Sequence, residues 1–298
     1  MDHDTPVQAP ARGPLDRSRL GADFVAHTGL SKVLIVDEIG STNTELMRLA
    51  GAEAEEWGDL GVLVAENQTQ GQGRLHRPWE SPSGASLAVS ILLRPHGPSG
   101  RPLPTQSYSW FSPLAALALR EALAGVAGLE SALKWPNDVV VGGLKVSGIL
   151  AHLAPGVHGE PPAVVLGTGI NVSLTKDELP VPTATSASLA AGRPVDRTSL
   201  LVAYLEEFAR YYRAFCAVHG NADAPLLGGQ TLLSRVQDAT ITLGRRVRVE
   251  LPGGRRLEGR ATGLDGHGAL QVVEDGGERH AVSAGDVVHL RPADGGYA

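Results

Sequence analysis

A glycine- and arginine-rich segment between two apolar runs most constrains how this 298-residue chain can fold. Residues 61–65 and 86–94 have the apolar composition of buried strands, and the segment between them is too long for a tight hairpin. A Gly-x-Gly pair in such a place is more often a plain turn than a ligand contact. Here, however, Arg74 and Arg77 follow the glycines, and planar guanidinium groups bind carboxylate or phosphate at two points. We therefore predict that the segment encloses an anionic ligand.

Composition and charge exclude several classes of protein. The formal net charge is −6, so the chain lacks the general positive field that recruits nucleic acid. No stretch is apolar enough to span a bilayer, and residues 1–20 lack the basic and apolar regions of a signal peptide. The single cysteine, Cys216, excludes an internal disulfide, and the histidines show no metal-ligand spacing. We expect a cytoplasmic protein with neither DNA nor a membrane as partner.

An ordered string runs through the glycine- and arginine-rich segment: Gly73-Arg74-x-x-Arg77-x-Trp79-x-Ser81-Pro82-x-Gly84. The string resembles the GRGRxxRxWxSPxGxxL signature of biotin protein ligases, and its length makes the match specific. Gln72 stands where that family usually has its first arginine. The resemblance implies that an adenylate intermediate, biotinyl-5′-AMP, is formed. Because this chain has one cation fewer in the loop, we predict that it binds the intermediate less tightly and releases it faster. The loop is expected to fold over its ligand and exclude water.

A second short motif, Ser41-Thr42-Asn43, follows the predicted first strand. Thr42 and Glu45 have the spacing of a capping box, so the motif can simply begin a helix at Glu45. It also matches the STN motif of biotin ligases, and this resemblance implies hydrogen bonds to the ureido group of biotin. Gln68 matches a glutamine of the family that contacts biotin.

The segment 134–150 predicts a β-hairpin that turns at Gly142-Gly143. A lysine just after a turn is usually solvated, and Asn-Asp pairs are common turn formers. The segment nevertheless resembles the KWPND…KxxGIL block of biotin ligases. The resemblance makes Lys145 the cation between the biotin carboxylate and the α-phosphate of ATP, and makes Asp138 a candidate for organising the nucleotide and Mg²⁺. The strand at 163–172 resembles the GIGINV block, in which the asparagine, here Asn171, reaches the nucleotide.

Together these matches predict three groups of site residues. The catalytic group is Lys145, Arg74 and Asp138, and Asp138 is also the candidate metal ligand. Biotin is expected to contact Ser41, Thr42, Asn43, Gln68, Gly71, Gln72, Gly73, Arg74, Lys145 and Gly148. The nucleotide is expected to contact Arg74, Arg77, Trp79, Lys134, Trp135, Asn137 and Asn171.

The chain divides into a predicted disordered tail at residues 1–18, a catalytic domain at 19–235 and a C-terminal domain at 236–298. A helix is expected at 112–124, with Ser112 as its cap, and apolar spacing predicts another around 201–215. Short strands are expected at 241–243, 247–250, 257–261, 269–273 and 287–290, which is typical of a small barrel. The resemblance implies an α+β fold: a mixed sheet with helices, related to class II aminoacyl-tRNA synthetases, followed by an SH3-like β-barrel.

The resemblance implies ATP-dependent activation of biotin to biotinyl-5′-AMP. Biotin would then pass to a lysine of the biotin carboxyl carrier domains of acyl-CoA carboxylases, by a monomer or a homodimer. Some biotin ligases also carry an N-terminal DNA-binding helix-turn-helix, for which we expect no room before the first strand. Two alternatives remain: a lipoate or octanoate ligase of the same fold, and a non-catalytic biotin sensor. Lipoate and octanoate ligases lack the string that contains Arg74, Arg77 and Trp79. A non-catalytic sensor would usually have lost one of the four charged residues Arg74, Arg77, Asp138 and Lys145.

Overall fold

The computed structural model describes residues 12–157, 159–250, 256–283 and 289–292, without the side chains of His76 and of 289–292. Its helices are α1 (Ala22–Thr28), α2 (Thr42–Ala52), α3 (Phe111–Ala127), α4 (Ala187–Ala191), α5 (Arg197–Ala217) and α6 (Leu232–Ala239). Its strands are β1 (Lys32–Ile39), β2 (Gly61–Gln68), β3 (Ser86–Leu93), β4 (Ser131–Lys134), β5 (Asp138–Val141), β6 (Leu144–Ala154), β7 (Ala163–Asn171), β8 (Arg246–Glu250), β9 (Arg256–Leu264), β10 (Leu270–Val273), β11 (Arg279–Val282) and β12 (His289–Pro292).

The first seven strands form one mixed sheet in the order β1-β2-β3-β7-β6-β5-β4. The β1–β2 pair is parallel, with α2 as the crossover, and the other neighbouring pairs are antiparallel. Every residue of β3 is buried, as expected for a central strand covered on both faces. The predicted α+β class with a mixed sheet is confirmed.

Two long helices cover one face of this sheet. Helix α3 is rich in alanine and leucine and packs along α5. The apolar stripe predicted for α5 is confirmed, because Leu201, Leu205, Phe208, Tyr212 and Phe215 are all buried in the main core. Of the helices in the described ranges, none combines the length and the apolar character needed to cross a membrane.

Strands β8–β12 form a separate antiparallel sheet of five strands in the order β11-β10-β9-β8-β12. This sheet is the predicted small C-terminal β-domain. Two tryptophans of the larger domain donate hydrogen bonds to it: Trp110 Nε1 to Gly266 O at 3.0 Å, and Trp135 Nε1 to Gly268 O at 3.1 Å. The boundary between 235 and 236 stays a prediction.

Three local predictions are wrong. Helix α2 begins at Thr42 and its cap is Ser41, whose hydroxyl accepts from Thr44 N, so Thr42 does not begin a capping box. Helix α3 begins at Phe111 without a side-chain cap, because a 3-10 helix at Thr105–Trp110 leads directly into it. Residues 241–243 form a turn and not a strand, and the chain next to them pairs with the larger sheet through the isolated bridge of Thr240 with Leu133.

The predicted disorder of residues 1–18 is also wrong for residues 12–18. Leu15 is buried, and Arg12 forms an ion pair with Glu178. Both partners of this ion pair lie far apart in sequence, so the local composition could not indicate it. Residues 1–11 lie outside the described part of the chain.

Candidate active site

A cavity of about 660 Å³ lies over the central strands β3, β6 and β7. Its walls come from the start of α2, the loop between β2 and β3, the β5–β6 hairpin and the segment 180–184. Of the seventeen residues predicted for the site, the lining includes sixteen: Ser41, Thr42, Asn43, Gln68, Gln72, Gly73, Arg74, Arg77, Trp79, Lys134, Trp135, Asn137, Asp138, Lys145, Gly148 and Asn171. Segments far apart in sequence therefore meet at one site.

Gly71 is the predicted residue that does not line the cavity, and it has a structural role. Its carbonyl accepts a hydrogen bond from Trp79 N at 2.8 Å, and Gly73 N donates to Arg77 O at 2.7 Å. A β-carbon on Gly71 would lie 2.4 Å from the carbonyl oxygen of Trp79, so no other residue fits there. These contacts narrow the base of the loop 71–79. Leu75 at its tip is about half exposed and has a positive φ of 57°.

A polar cluster occupies one end of the cavity, at the start of α2. Gln68 Oε1 accepts from Thr42 N at 2.8 Å and from the Thr42 hydroxyl at 2.9 Å. The Nδ2 of Asn43 donates to Leu150 O at 3.2 Å and lies 3.3 Å from Nδ1 of His152. The side chains of the predicted STN motif and Gln68 are thus held in fixed orientations, as recognition of a small polar group requires.

Trp79 covers two glycines on the floor of the cavity. A β-carbon on Gly169 would lie 2.5 Å from the indole ring, and one on Gly148 would lie 3.3 Å from it. The indole Nε1 is buried and has no hydrogen-bond partner among the described residues. Glycine at position 169 is therefore needed to seat the indole against the sheet, and position 148 leaves only tight space beside it.

The charged groups lie beside this indole. Lys145 Nζ is 2.7 Å from Asp138 Oδ1 and 5.8 Å from the centroid of the Trp79 ring. Burial lowers the pKa of the Arg74 guanidinium, and attraction by Asp138 opposes that effect. Four cations (Arg74, Arg77, Lys134 and Lys145) and two carboxylates (Glu80 and Asp138) line the cavity. The cavity of this acidic chain thus carries a surplus of two positive charges.

The backbone of Lys145 is fixed on both sides by the segment 183–185. Lys145 N donates to Thr183 O at 2.9 Å, and Thr185 N donates to Lys145 O at 2.8 Å. Asn171 in turn donates from Nδ2 to Thr185 O at 3.0 Å. The predicted nucleotide residue Asn171 therefore supports this segment as well as lining the cavity.

Two other predicted residues also make structural contacts. The side-chain Nδ2 of Asn137 donates to Ile149 O at 3.0 Å, and the backbone carbonyl of Asn137 accepts from Ile149 N at 2.9 Å. These two bonds fix the hairpin. Trp135 is buried and its indole donates to the C-terminal domain, as described above. The cleft therefore rests partly on the contact between the two domains.

Sequence reasoning missed the segment 180–184 and the buried Ser90. The segment lines the cavity through Pro180, Val181, Thr183 and Ala184, and its composition carries no signal of a site. Ser90 Oγ lies within hydrogen-bond distance of Thr42 Oγ1 and Asn43 Oδ1 without lining the cavity itself. Its signal was visible, because it is the sole polar residue in the apolar run 87–93.

Two family models match the chain. The biotin/lipoate A/B protein ligase family matches residues 36–171, and the biotin protein ligase C-terminal domain matches residues 242–290. The chain is 36% identical to the biotin–[acetyl-CoA-carboxylase] ligase of Mycobacterium tuberculosis over 94% of this chain and 97% of that protein. It is 32% identical to the bifunctional ligase/repressor BirA of Bacillus spizizenii, over 91% of this chain and 78% of that protein.

A solved structure supports the same relationship. The biotin protein ligase of Aquifex aeolicus, in complex with biotin and ATP, superposes with a TM-score of 0.68 and 25% identity. The match covers 88% of this chain and 99% of that one. The extent of these matches and the cavity described above lead to one conclusion: the chain belongs to the biotin protein ligase family.

Proposed function

We propose that this chain activates biotin with ATP and transfers it to a lysine of a biotin carboxyl carrier domain. In the first step a biotin carboxylate oxygen attacks the α-phosphorus of ATP, and the bond to pyrophosphate breaks. In the second step the neutral lysine amine attacks the carbonyl carbon of biotinyl-5′-AMP. AMP leaves, an amide forms, and the amine loses a proton to solvent.

One observation supports the proposal above all. The polar cluster at the start of α2 and the cations Lys145 and Arg74 line the same cavity. A biotin molecule needs both, because its ureido group is polar and its carboxylate is an anion that must approach a polyphosphate. Two anions repel each other unless cations lie near them. Catalysis of such a displacement needs chiefly positioning and charge stabilisation.

Specific roles for the predicted residues follow from this arrangement. Lys145 would bridge the biotin carboxylate and the α-phosphate, with Arg74 beside it. Ser41, Thr42, Asn43 and Gln68 would bind the ureido group, with Gly71, Gln72, Gly73 and Gly148 near biotin. Arg77, Trp79, Lys134, Trp135, Asn137 and Asn171 would surround the nucleotide.

The donor set also fits a Mg²⁺ ion that enters with ATP. Mg²⁺ is usually bound through one or two carboxylates together with substrate phosphates and water. The cavity offers Asp138, whose carboxylate already lies beside Lys145, and Glu80. We propose Asp138 as the protein ligand. The ion would neutralise charge on the phosphates.

The acceptor is proposed to be the carrier domain of an acyl-CoA carboxylase. The similarity to the Mycobacterium tuberculosis relative supports this, since that protein is named biotin–[acetyl-CoA-carboxylase] ligase. A cytoplasmic location, the absence of DNA as a partner and a monomeric or dimeric state belong to the same proposal.

Biotin-dependent exchange of labelled pyrophosphate into ATP tests the adenylation step. We expect exchange with biotin and none above background with lipoate or octanoate. Exchange only with lipoate or octanoate would make the chain a ligase of the other branch of its family. Exchange with none of the three acids would contradict the proposal and favour a non-catalytic biotin sensor.

A further inference from the structure

Ser90 lies in the middle of β3, directly beneath the polar cluster. Its cross-strand neighbours are Leu63 on β2 and Gly167 on β7. The side chain is fully buried and does not line the cavity. A serine in the centre of an otherwise apolar strand requires a partner for its hydroxyl, because an unpaired buried polar group is costly.

The hydroxyl of Ser90 has two partners in the cluster. Its oxygen lies 2.6 Å from Asn43 Oδ1 and 2.8 Å from Thr42 Oγ1. Asn43 Nδ2 faces the carbonyl of Leu150, so its Oδ1 must face Ser90. An amide oxygen can only accept, and the single hydroxyl proton of Ser90 therefore goes to Asn43.

The cluster contains fewer protons than contacts. Three oxygen–oxygen contacts join Ser90, Thr42, Asn43 and Gln68, while Ser90 and Thr42 supply one hydroxyl proton each. At any moment one of the three contacts has no proton between its two oxygens. Because the Ser90 proton goes to Asn43, this contact always involves the hydroxyl oxygen of Thr42, and an oxygen lone pair next to Thr42 is left without a donor. A ligand that offers an N–H group at Thr42 satisfies that lone pair.

Gly167 provides the space that Asn43 needs. A β-carbon on Gly167 would lie 2.3 Å from Asn43 Oδ1 and 2.6 Å from its Nδ2. The amide of Asn43 therefore lies over Gly167. Ser90, which is the cross-strand neighbour of Gly167, contacts the same amide from the side. The hydroxyl of Ser90 and the absence of a side chain at Gly167 together fix Asn43 of α2.

We propose that Ser90 is a positioning residue for recognition of the cyclic urea of biotin. It acts through Asn43 and Thr42 and does not itself touch the ligand. Its hydroxyl sets which atoms of the cluster donate and which accept, and so favours a ligand with paired N–H and C=O groups. This inference rests on the proposed function.

The test compares Ser90→Ala with a matched control, Ser131→Ala. Ser131 is also a buried strand serine, its hydroxyl has no partner among the described residues, and it does not line the cavity. In the exchange assay we expect S90A to raise the KM for biotin about tenfold, which corresponds to about 1.4 kcal/mol. The KM for ATP should stay within twofold, and S131A should leave both constants unchanged.

A double-mutant cycle separates positioning from general loss of packing. In an Asn43→Ala background, S90A should lose at least half of its logarithmic effect on the KM for biotin, because its main partner is gone. Full additivity would overturn the inference, and so would an S90A enzyme with a biotin KM within twofold of the wild type. Equal changes in the KM values for biotin and ATP would overturn it as well.

A second variant covers the case in which S90A does not fold. Ser90→Cys keeps a side chain of similar shape with a weaker donor. It should raise the KM for biotin at least threefold over S131A, and an unchanged KM would overturn the inference. Failure of the wild-type enzyme to exchange pyrophosphate with biotin would instead contradict the proposed function, so the two failures are distinguishable.

Discussion

The ammonium group of Lys145 lies 2.7 Å from the carboxylate of Asp138, on the adjacent strand of the β5–β6 hairpin. Lys145 is about three-quarters buried, so its charge is screened less than that of a surface lysine. The backbone of Lys145 is also held on both sides by the segment 183–185. A fixed, partly desolvated cation of this kind stabilises a developing anion at little cost of reorganisation.

Replacement of this cation should abolish most of the adenylation activity. We expect Lys145→Ala to lower the rate of biotin-dependent pyrophosphate exchange by about 10²–10³-fold, as for other groups that stabilise transition-state charge. Lys176→Ala is the matched control, because Lys176 is exposed and lies outside the cavity. Equal rates for the two variants would show that Lys145 does not act in this step.

Most of the site could be predicted because its residues stand in four compact motifs. The contacts between the motifs could not be read from the sequence. Asn171, for example, holds Thr185, and the segment around Thr185 holds Lys145. These links depend on the order of strands in the sheet, which pairs β7 with β6 and β3.

The errors in the fold have a similar cause. The β-branched residues at 241 and 242 favour a strand locally, but the structure places them in a turn at the contact between the two domains. Arg12 and its partner Glu178 are 166 positions apart, so the composition of residues 12–18 alone predicted disorder. Tertiary contacts overrode the local signal in both places.

The loop between β2 and β3 should become protected when substrates bind. Leu75 at its tip is exposed, and the bond between Arg74 and Leu75 is a site for trypsin, whereas the bond after Arg77 precedes Pro78 and resists the protease. We expect biotin with ATP and Mg²⁺ to slow cleavage after Arg74, because the loop then closes over the intermediate. Mapping the tryptic fragments by mass spectrometry measures this. An unchanged rate of cleavage after Arg74 would contradict closure of the loop.

Restoring a cation at position 72 should improve retention of the intermediate. Gln72 is exposed and lines the cavity. We expect Gln72→Arg to slow the release of free biotinyl-5′-AMP about two- to fivefold, because a partly exposed ion pair contributes ~1 kcal/mol or less. Release is measured by rapid filtration of enzyme loaded with labelled biotin and ATP.

The control for this substitution is Gln70→Arg. Gln70 is exposed, lies two residues earlier in the same loop and does not line the cavity. It adds the same charge without access to the intermediate. If Q72R and Q70R release the intermediate at the same rate as the wild type, the cation at position 72 has no role in retention.

The ion pair between Arg12 and Glu178 should make stability depend on pH. Hydrogen bonds from Arg12 and from Thr175 N lower the pKa of Glu178 to about 2 from an ordinary value of 4.5. A lowered pKa in the folded state contributes stability above pH 4.5, and this contribution is lost as the pH falls from 4.5 towards 2. The pair is partly exposed, so we expect ~0.5–1 kcal/mol at pH 7.

Urea unfolding of Glu178→Gln and the wild type between pH 7 and pH 2 measures this effect. The difference in the free energy of unfolding should be present at pH 7 and should shrink towards zero as the pH approaches 2. The neighbouring exposed Asp177→Asn serves as the control. A difference that is absent at pH 7, or that grows as the pH falls, would contradict the ion pair of the N-terminal segment.

The thiol of Cys216 should be unreactive in the folded protein. Cys216 is buried in α5, and burial together with repulsion by Asp59 raises the pKa of its thiol to about 12. The thiolate is the reactive form, so at pH 8 the folded chain should hardly react with Ellman's reagent. Unfolding in guanidinium chloride should release one reactive thiol per chain, because the sequence contains a single cysteine. Complete reaction of the native protein within minutes would show that the helix α5 opens at this end, and that the packing of Cys216 against Tyr212 does not persist in solution.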